Sequence, residues 1–297
     1  MCDGSPYIPP RRLVLSGGGL RVVSFIGVLQ VLEEKQLLKS IREFCGVSAG
    51  ALVATMLALG YTLPKLERFF LEYDFSQVRA LEPESMFLLF ESFGIDTGER
   101  LSALVEKFLY HKGFGPKTTF GDLKASGRCK SLRIWAADIQ MAEPIEFSAE
   151  KTPEMEVVLA LRATTAIPGY FTPVCHPTTG RLLSDGGVFD NYPIHYLSDR
   201  EQEESLGIAF CFSSFPQPCK EFGDFVGLVI AGYYLPSYQS ILEKHKHRTI
   251  ELPCYEFSPI HFEASLEEKK KLIELGRTQA TRFFERPVYR GRRHSVV

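Results

Sequence analysis

Two short apolar segments, each followed by glycines and then by a helical pattern, most constrain how this chain can fold. Residues 12–16 predict a buried strand that stops at Gly17–Gly19, and apolar residues then recur at helical spacing from Val22 to Leu38. A second apolar segment leads into Gly-Val-Ser-Ala-Gly at residues 46–50, which precedes an apolar helix over residues 51–59. Strands that alternate with helices in this way predict an α/β fold with a parallel sheet.

The rest of the chain continues this alternation. Helical patterns cover residues 99–110, 157–165, 222–246 and 266–284, and strand patterns cover residues 132–138, 182–184 and 208–212. With 297 residues and 45% hydrophobic composition, the chain is long enough for one sizeable core. No linker rich in proline, glycine or serine divides it. We therefore expect one domain, with an N-terminal extension (residues 1–11), a core (12–200) and a C-terminal part (201–297) of strand and helices that ends in a short basic tail.

Composition argues against several classes of protein. A formal net charge of −2 disfavours a dedicated nucleic-acid-binding protein, which would carry a basic excess. The seven cysteines are scattered and odd in number, which favours free thiols in a reducing compartment, and no Cys-x-x-Cys pair or calcium-loop pattern predicts a metal site. The first twelve residues lack the apolar segment of a secretory signal. Two uncharged stretches, residues 44–64 and 225–242, are long enough to suggest membrane spans, but glycine, serine or proline interrupts each of them. We therefore expect an intracellular, cytoplasmic protein without a transmembrane helix.

The strongest single motif is Gly46-x-Ser48-x-Gly50, between a predicted strand and a predicted helix. A serine there lies on a strained strand-to-helix turn that exposes its hydroxyl, and a Cβ at either glycine would collide with its neighbours. The helix that follows directs its N-terminal amides toward the serine, which favours developing negative charge. These features favour Ser48 as a nucleophile over an ordinary small-residue helix start.

The triplet Gly17-Gly18-Gly19 is the second candidate site. After a strand and before a helix, its backbone amides can bind an anion, either a nucleotide pyrophosphate or an oxyanion that develops during a reaction. The dinucleotide fingerprint requires glycine at position 22, where this chain has Val22, so an oxyanion hole is the better interpretation. Arg21 either steadies the loop, attracts an anionic head group or is merely solvated.

A serine nucleophile requires a base, and the sequence offers two kinds. Of the seven histidines, His176 and His195 lie nearest in sequence to a second glycine turn, Asp185-Gly186-Gly187. Asp185 follows a short strand, and burial raises the pKa of such a carboxylate toward the range that general-base catalysis requires. Taken alone, this motif is better explained by an ordinary Asp-Gly hairpin turn.

Taken together and in this order, these motifs resemble the signature blocks of the patatin-like phospholipases. The blocks are Gly17–Arg21, Gly46–Gly50, and Asp185–Gly187 followed by Asn191-Tyr192-Pro193. Supporting blocks at residues 25–29, 96–101 and 162–173 also resemble the family, so the likeness spans about two-thirds of the chain. One departure is Val22, where the family usually has glycine.

The resemblance implies a three-layer α/β/α sandwich with a mainly parallel central sheet. It also implies a serine–aspartate dyad in which Ser48 is the nucleophile and Asp185 the proton acceptor, while the amides of Gly17, Gly18 and Gly19 form the oxyanion hole. No metal or cofactor is implied. The expected function is a lipid acyl hydrolase that cleaves carboxylic esters of phospholipids through an acyl-enzyme. A catalytically silent or gated family member that acts by binding a membrane or a partner is the alternative.

The substrate of such an enzyme lies in a membrane, so we expect transient contact with a bilayer surface. Candidate contacts are Phe87, Phe90 and Phe93, and the apolar residues 225–234 followed by Lys244, Lys246 and Arg248. A buried helix with a solvated end is the alternative explanation of the second segment.

Overall fold

The computed structural model describes residues 9–80, 85–211, 219, 222–257 and 262–286. Its helices are α1 (Ser24–Glu34), α2 (Ser48–Ala58), α3 (Leu63–Glu72), α4 (Ser85–Ser92), α5 (Glu99–Tyr110), α6 (Phe120–Ala125), α7 (Val157–Thr164), α8 (Asp199–Glu203), α9 (Phe222–His245) and α10 (Leu266–Phe284). Its strands are β1 (Arg12–Leu15), β2 (Glu43–Val47), β3 (Gly94–Asp96), β4 (Ser131–Asp138), β5 (Glu143–Ser148), β6 (Gly169–Phe171), β7 (Val174–Cys175), β8 (Leu182–Ser184), β9 (Ser205–Phe210) and β10 (Thr249–Leu252).

Eight of the described strands form the central sheet, in the order β10-β9-β1-β2-β4-β8-β7 with β5 also paired to β4. The pairs from β10 through β4 are parallel, whereas β5, β7 and β8 pair antiparallel with their neighbours. The short strands β3 and β6 pair separately. The predicted mixed α/β class with a mainly parallel sheet is therefore confirmed. Because β1 and β2 are parallel neighbours, the loops at their carboxyl ends meet at one edge of the sheet.

Helices cover both faces of this sheet. In β1, Leu13 and Leu15 belong to one core cluster and Val14 to another, because alternate strand residues point to opposite faces. The first cluster includes residues of α1, α2, α7 and α10, and the second includes residues of α9 and of the turn Pro193–Tyr196. These three layers form the expected α/β/α sandwich.

The C-terminal helix α10 packs tightly along α1. A Cβ added at Gly27 would lie 1.9 Å from the carbonyl oxygen of Ile273, and one added at Gly276 would lie 1.9 Å from that of Ser24. Glycine at both positions therefore allows the two helix backbones to approach closely. This contact attaches α10 to the helix that follows the glycine loop.

Most predicted elements are confirmed, with shifted ends. Helices α5 and α10 have the predicted bounds. Helix α1 ends at Glu34, before the predicted Leu38, because Gln36 adopts a left-handed conformation (φ 59°) that an α-helix does not continue. Helix α2 begins at Ser48 itself rather than at residue 51. Strands β3, β5, β6, β7 and β10 and helices α3, α4, α6 and α8 were not predicted.

Two expectations concern the ends of the chain and the membrane. The basic tail and residues 1–8 of the N-terminal extension lie outside the described residues. Within the described ranges, none of the helices combines the length and the apolar character needed to span a bilayer.

Candidate active site

The turn between β2 and α2 carries Ser48 in a strained conformation. Its φ of 51° lies in the left-handed region, which costs an L-residue about 1–2 kcal/mol. A Cβ added at Gly50 would lie 2.3 Å from the carbonyl oxygen of Ser16, and one added at Gly46 would lie 2.8 Å from the backbone of Ala51. Glycine on both sides therefore lets the turn pack against β1 and against its own helix, and Ser48 is held at the start of α2.

The side chain of Ser48 meets that of Asp185. The Ser48 hydroxyl donates a hydrogen bond of 2.6 Å to Oδ2 of Asp185, a residue 137 positions later in the chain. Both residues are buried, with 8% and 6% of their surface exposed. The other carboxylate oxygen, Oδ1, accepts the amide of Gly187 at 2.8 Å, so the turn itself orients the carboxylate.

Burial makes this carboxylate more basic than an ordinary aspartate. Desolvation raises the pKa of Asp185 to about 6, although hydrogen bonds from Ser48 and from the amide of Gly187 act in the opposite direction. Asp185 is therefore mostly ionised at neutral pH yet more basic than a solvated carboxylate. These are the properties required of a group that accepts a proton from a hydroxyl.

The turn that carries Asp185 packs directly on the end of β2 and on the middle of β4 beside it. A Cβ added at Gly186 would lie 2.5 Å from the carbonyl oxygen of Trp135 and 2.9 Å from a methyl group of Val47. A Cβ at Gly187 would lie 2.9 Å from Oδ1 of Asn191. The two glycines therefore bring the Asp185 turn against the strand that precedes Ser48.

The glycine loop lies beside the turn that carries Ser48, and Asn191 holds the first residue of this loop. The amide of Gly17 donates to the backbone oxygen of Asn191 at 3.0 Å, and Nδ2 of Asn191 donates to the carbonyl oxygen of Gly17 at 2.9 Å. A Cβ added at Gly17 would lie 3.1 Å from Cβ of Ser48. The Gly17 amide, which we expected in an oxyanion hole, is thus already engaged within the protein.

The next two glycines differ from Gly17. The amides of Gly18 and Gly19 make no hydrogen bond to another residue in the described part of the chain. A Cβ added at Gly18 would lie 2.1 Å from the ring of Phe210, and Gly19 has a left-handed φ of 53°. The loop therefore requires glycine at Gly18 for space and favours it at Gly19 for backbone conformation.

An apolar cavity opens next to Ser48. The residues that line it come mainly from α2, α3, α5 and the segment after α7, and they are Gly19, Leu20, Val22, Ser48, Ala49, Leu52, Met56, Phe69, Phe70, Phe75, Val78, Leu101, Leu104, Phe108, Thr165, Ile167, Phe171 and Phe262. Ser48 and Thr165 are the lining residues with polar side chains. Such a cavity fits a hydrocarbon chain whose polar end reaches Ser48.

Neither histidine that the sequence left open as a base lies in this site. Nδ1 of His195 lies 3.0 Å from Oδ2 of Asp190, and His176 accepts amides of its own turn, including that of Thr178. Among the described residues, no histidine forms a hydrogen bond with Ser48 or Asp185. Within the same residues, no group of three or more His, Cys, Asp or Glu side chains could hold a metal ion.

Two residues of the site had no role assigned from the sequence. Asn191 holds the glycine loop, and Thr164 accepts the amide of Ser48 at 2.8 Å. Both residues lie in sequence blocks that resemble the patatin-like phospholipases, and this resemblance is the one sequence signal that could have indicated a role for them. A local pattern does not reveal such roles, because each contact joins residues more than a hundred positions apart.

The family model of the patatin-like phospholipases matches residues 13–198, more than half of the chain. The chain therefore belongs to the patatin-like phospholipase family. Membership in this family supports the interpretation of the protein as a lipid hydrolase.

Several known proteins are similar to this chain over most of its length. Protein R571 of Acanthamoeba polyphaga mimivirus, itself uncharacterized, is 28% identical over 277 residues, which cover 90% of this chain and 91% of that protein. The probable lipid hydrolase 463L of Invertebrate iridescent virus 6 is 28% identical over 228 residues, covering 72% of this chain and 77% of that protein. VipD from Legionella pneumophila shares the fold, with a TM-score of 0.61 and 18% identity over 93% of this chain and 66% of the VipD chain.

Proposed function

We propose that this protein is a serine hydrolase of the phospholipase A or lysophospholipase type, which cleaves carboxylic esters of phospholipids. The observation that carries the proposal is the hydrogen bond of 2.6 Å between Ser48 and the buried Asp185, next to an apolar cavity. A hydroxyl bonded to a carboxylate of raised pKa is an activated nucleophile. The apolar lining supplies a place for an acyl chain, since each buried methylene contributes about 0.8 kcal/mol.

The first half of the reaction forms an acyl-enzyme. Oγ of Ser48 attacks the ester carbonyl while Asp185 accepts the hydroxyl proton, and the tetrahedral oxyanion is bound by the amides of Gly18 and Gly19. Gly17 is left out of this set because its amide already donates to Asn191. When the intermediate collapses, the bond to the leaving oxygen breaks, and Asp185 returns the proton to that oxygen to release a lysolipid or alcohol.

The second half releases the fatty acid. A water molecule attacks the acyl carbonyl while Asp185 accepts one of its protons, and the same amides bind the second oxyanion. The bond to Oγ of Ser48 then breaks, and Asp185 returns the proton to Oγ. One aspartate thus acts as base and acid in both halves.

Exposed aromatic side chains support transient contact with a membrane surface. Phe90 and Phe93, at the end of α4 and just after it, are 81% and 59% exposed, and Phe225 and Val229 on α9 are 56% and 58% exposed. The side chain of Phe87 lies outside the described residues. Of the basic residues that follow the apolar run, Lys246 pairs with Glu243, and Arg248 donates to the backbone oxygen of Gln202. We therefore propose peripheral association of a cytoplasmic protein through the aromatic residues rather than through Arg248.

Product analysis tests the proposed function. Purified protein is incubated with vesicles of mixed phospholipids and lysophospholipids, and the released fatty acids are measured by mass spectrometry. We expect fatty acids from the wild type and none from Ser48→Ala, and accumulation or loss of lysophospholipid distinguishes the two types. No release of fatty acid by the wild type, or equal release by Ser48→Ala, contradicts the proposal.

A further inference from the structure

We propose that Thr164 is a positioning residue that fixes the backbone of Ser48 relative to Asp185. The inference rests on the proposed function, because it concerns how the two reacting groups of that site are held. Thr164 is the last residue of α7 and is fully buried. Its side chain reaches the turn between β2 and α2 from a neighbouring helix on the same face of the sheet.

The hydroxyl of Thr164 links the nucleophile to the sheet. It accepts the amide of Ser48 at 2.8 Å and donates to the carbonyl oxygen of Trp135, on β4, at 2.5 Å. A hydroxyl can do both at once, because it has one proton to donate and lone pairs to accept. An aliphatic side chain of the same shape would leave the buried amide of Ser48 without this partner.

The amide of Ser48 requires a hydrogen-bond acceptor from outside helix α2. It belongs to the first turn of α2, where helix amides have no acceptor within the helix. Ser48 also holds a left-handed φ of 51°, a conformation that persists only when surrounding contacts impose it. The hydrogen bond to Thr164 satisfies the amide and restrains this strained residue.

The segment that begins at Thr164 also holds the other half of the dyad. Two residues later, the carbonyl oxygen of Ala166 accepts the amide of Asp185 at 2.9 Å. The carbonyl of Trp135, which accepts the Thr164 hydroxyl, also packs against Gly186. Residues 164–166 therefore bind the backbones of both Ser48 and Asp185 and set the distance between their side chains.

The test compares three substitutions of Thr164. Thr164→Ser and Thr164→Ala differ by a single oxygen atom, whereas Thr164→Val keeps the shape and removes the hydroxyl. Activity on a soluble ester is measured as kcat and KM, with kcat expressed per active site labelled by a fluorophosphonate. Exchange of the Ser48 amide with deuterium is measured in the same proteins by mass spectrometry of the peptide that contains it.

The expected result depends on whether the substituted side chain keeps the hydroxyl of Thr164. A displacement of about 1 Å in a reacting group costs roughly 10²-fold in rate, so Thr164→Ala and Thr164→Val should lower kcat per labelled site by about 10- to 100-fold with little change in KM. Thr164→Ser should stay within about threefold of the wild type. The Ser48 peptide should exchange faster in the alanine and valine variants than in the serine variant. A residue that only stabilised the fold would lower the number of labelled sites but not the turnover of each.

Equal kcat per labelled site in Thr164→Ala and Thr164→Ser overturns the proposal, and this pair remains decisive if Thr164→Val does not fold. If the wild type shows no hydrolysis that depends on Ser48, the proposed function has failed. In that case amide exchange is the one remaining test of the positioning role. Equal exchange of the Ser48 peptide in the alanine and serine variants rejects that role.

Discussion

Asn191 binds both backbone polar groups of Gly17, accepting its amide at 3.0 Å and donating from Nδ2 to its carbonyl oxygen at 2.9 Å. Asn191 follows the turn of Asp185, and Gly17 begins the loop beside Ser48. The two hydrogen bonds therefore join the proposed oxyanion loop to the turn that carries Asp185, the proposed base. They also remove the Gly17 amide from the set of free donors.

Two substitutions of Asn191 should disturb the glycine loop to different degrees. Asn191→Ala removes the bond from Nδ2 but keeps the backbone bond. A neutral hydrogen bond is worth about 0.5–1.5 kcal/mol, so kcat should fall about 2- to 13-fold. Asn191→Asp places a carboxylate oxygen against the carbonyl oxygen of Gly17 and should lower kcat further. Steady-state kinetics on a soluble ester at pH 8 checks this order. An aspartate variant as active as the wild type is the result that would exclude this role.

Gly18→Ala tests the oxyanion loop itself. The added methyl would meet the ring of Phe210, which is buried and stacked on Phe25, so we expect the loop and its amides to move rather than the ring. Loss of one oxyanion donor costs about 10²–10³ in kcat, with a smaller effect on KM. Gly115→Ala is the matched control, because a Cβ there meets nothing within 4 Å.

The same variant separates an oxyanion hole from a nucleotide site. If Gly18→Ala leaves hydrolysis unchanged but weakens measurable binding of a nicotinamide or flavin nucleotide in calorimetry, the loop is a nucleotide site. Binding of no such nucleotide by the wild type, together with the fall in kcat, supports the oxyanion hole.

The rate should depend on the ionisation of Asp185. Burial raises the pKa of Asp185 to about 6, and only the ionised carboxylate can accept the Ser48 proton. We therefore expect kcat/KM to be constant at pH 7–8 and to fall about tenfold per unit below pH 6. Burial lowers the pKa of His245 to about 4, so protonation of this histidine does not account for a fall in rate that begins near pH 6. A profile that stays flat down to pH 4.5 would show that Asp185 is not the base.

Much of the fold was predictable because its signals are local. Buried strands such as β1 end at glycine turns and are followed by apolar helices, and this alternation alone indicates a parallel sheet. Strand β5 was missed because Pro144 and two glutamates interrupt its apolar pattern. The end of α1 was misplaced because Gln36, an ordinary helix former, adopts a left-handed conformation that no local pattern reveals.

The candidate site was predictable only in part. The glycines around Ser48 and after Asp185 mark special turns, but nothing local indicates that turns 137 residues apart come together. The pairing was expected from the family resemblance. The contacts of Thr164 and Asn191 depend on how α7 and the Asp185 turn pack, so they required the structure.

The rate of covalent labelling of the active site by a fluorophosphonate tests the Ser48–Asp185 dyad most directly. General-base assistance contributes about 10²–10⁴, so Asp185→Asn should label slower by that factor, while His176→Ala and His195→Ala should label at nearly the wild-type rate. Ser48→Ala should not be labelled, and circular dichroism checks that each variant is folded. Labelling of Ser48→Ala, or a folded histidine variant as slow as Asp185→Asn, would contradict the dyad.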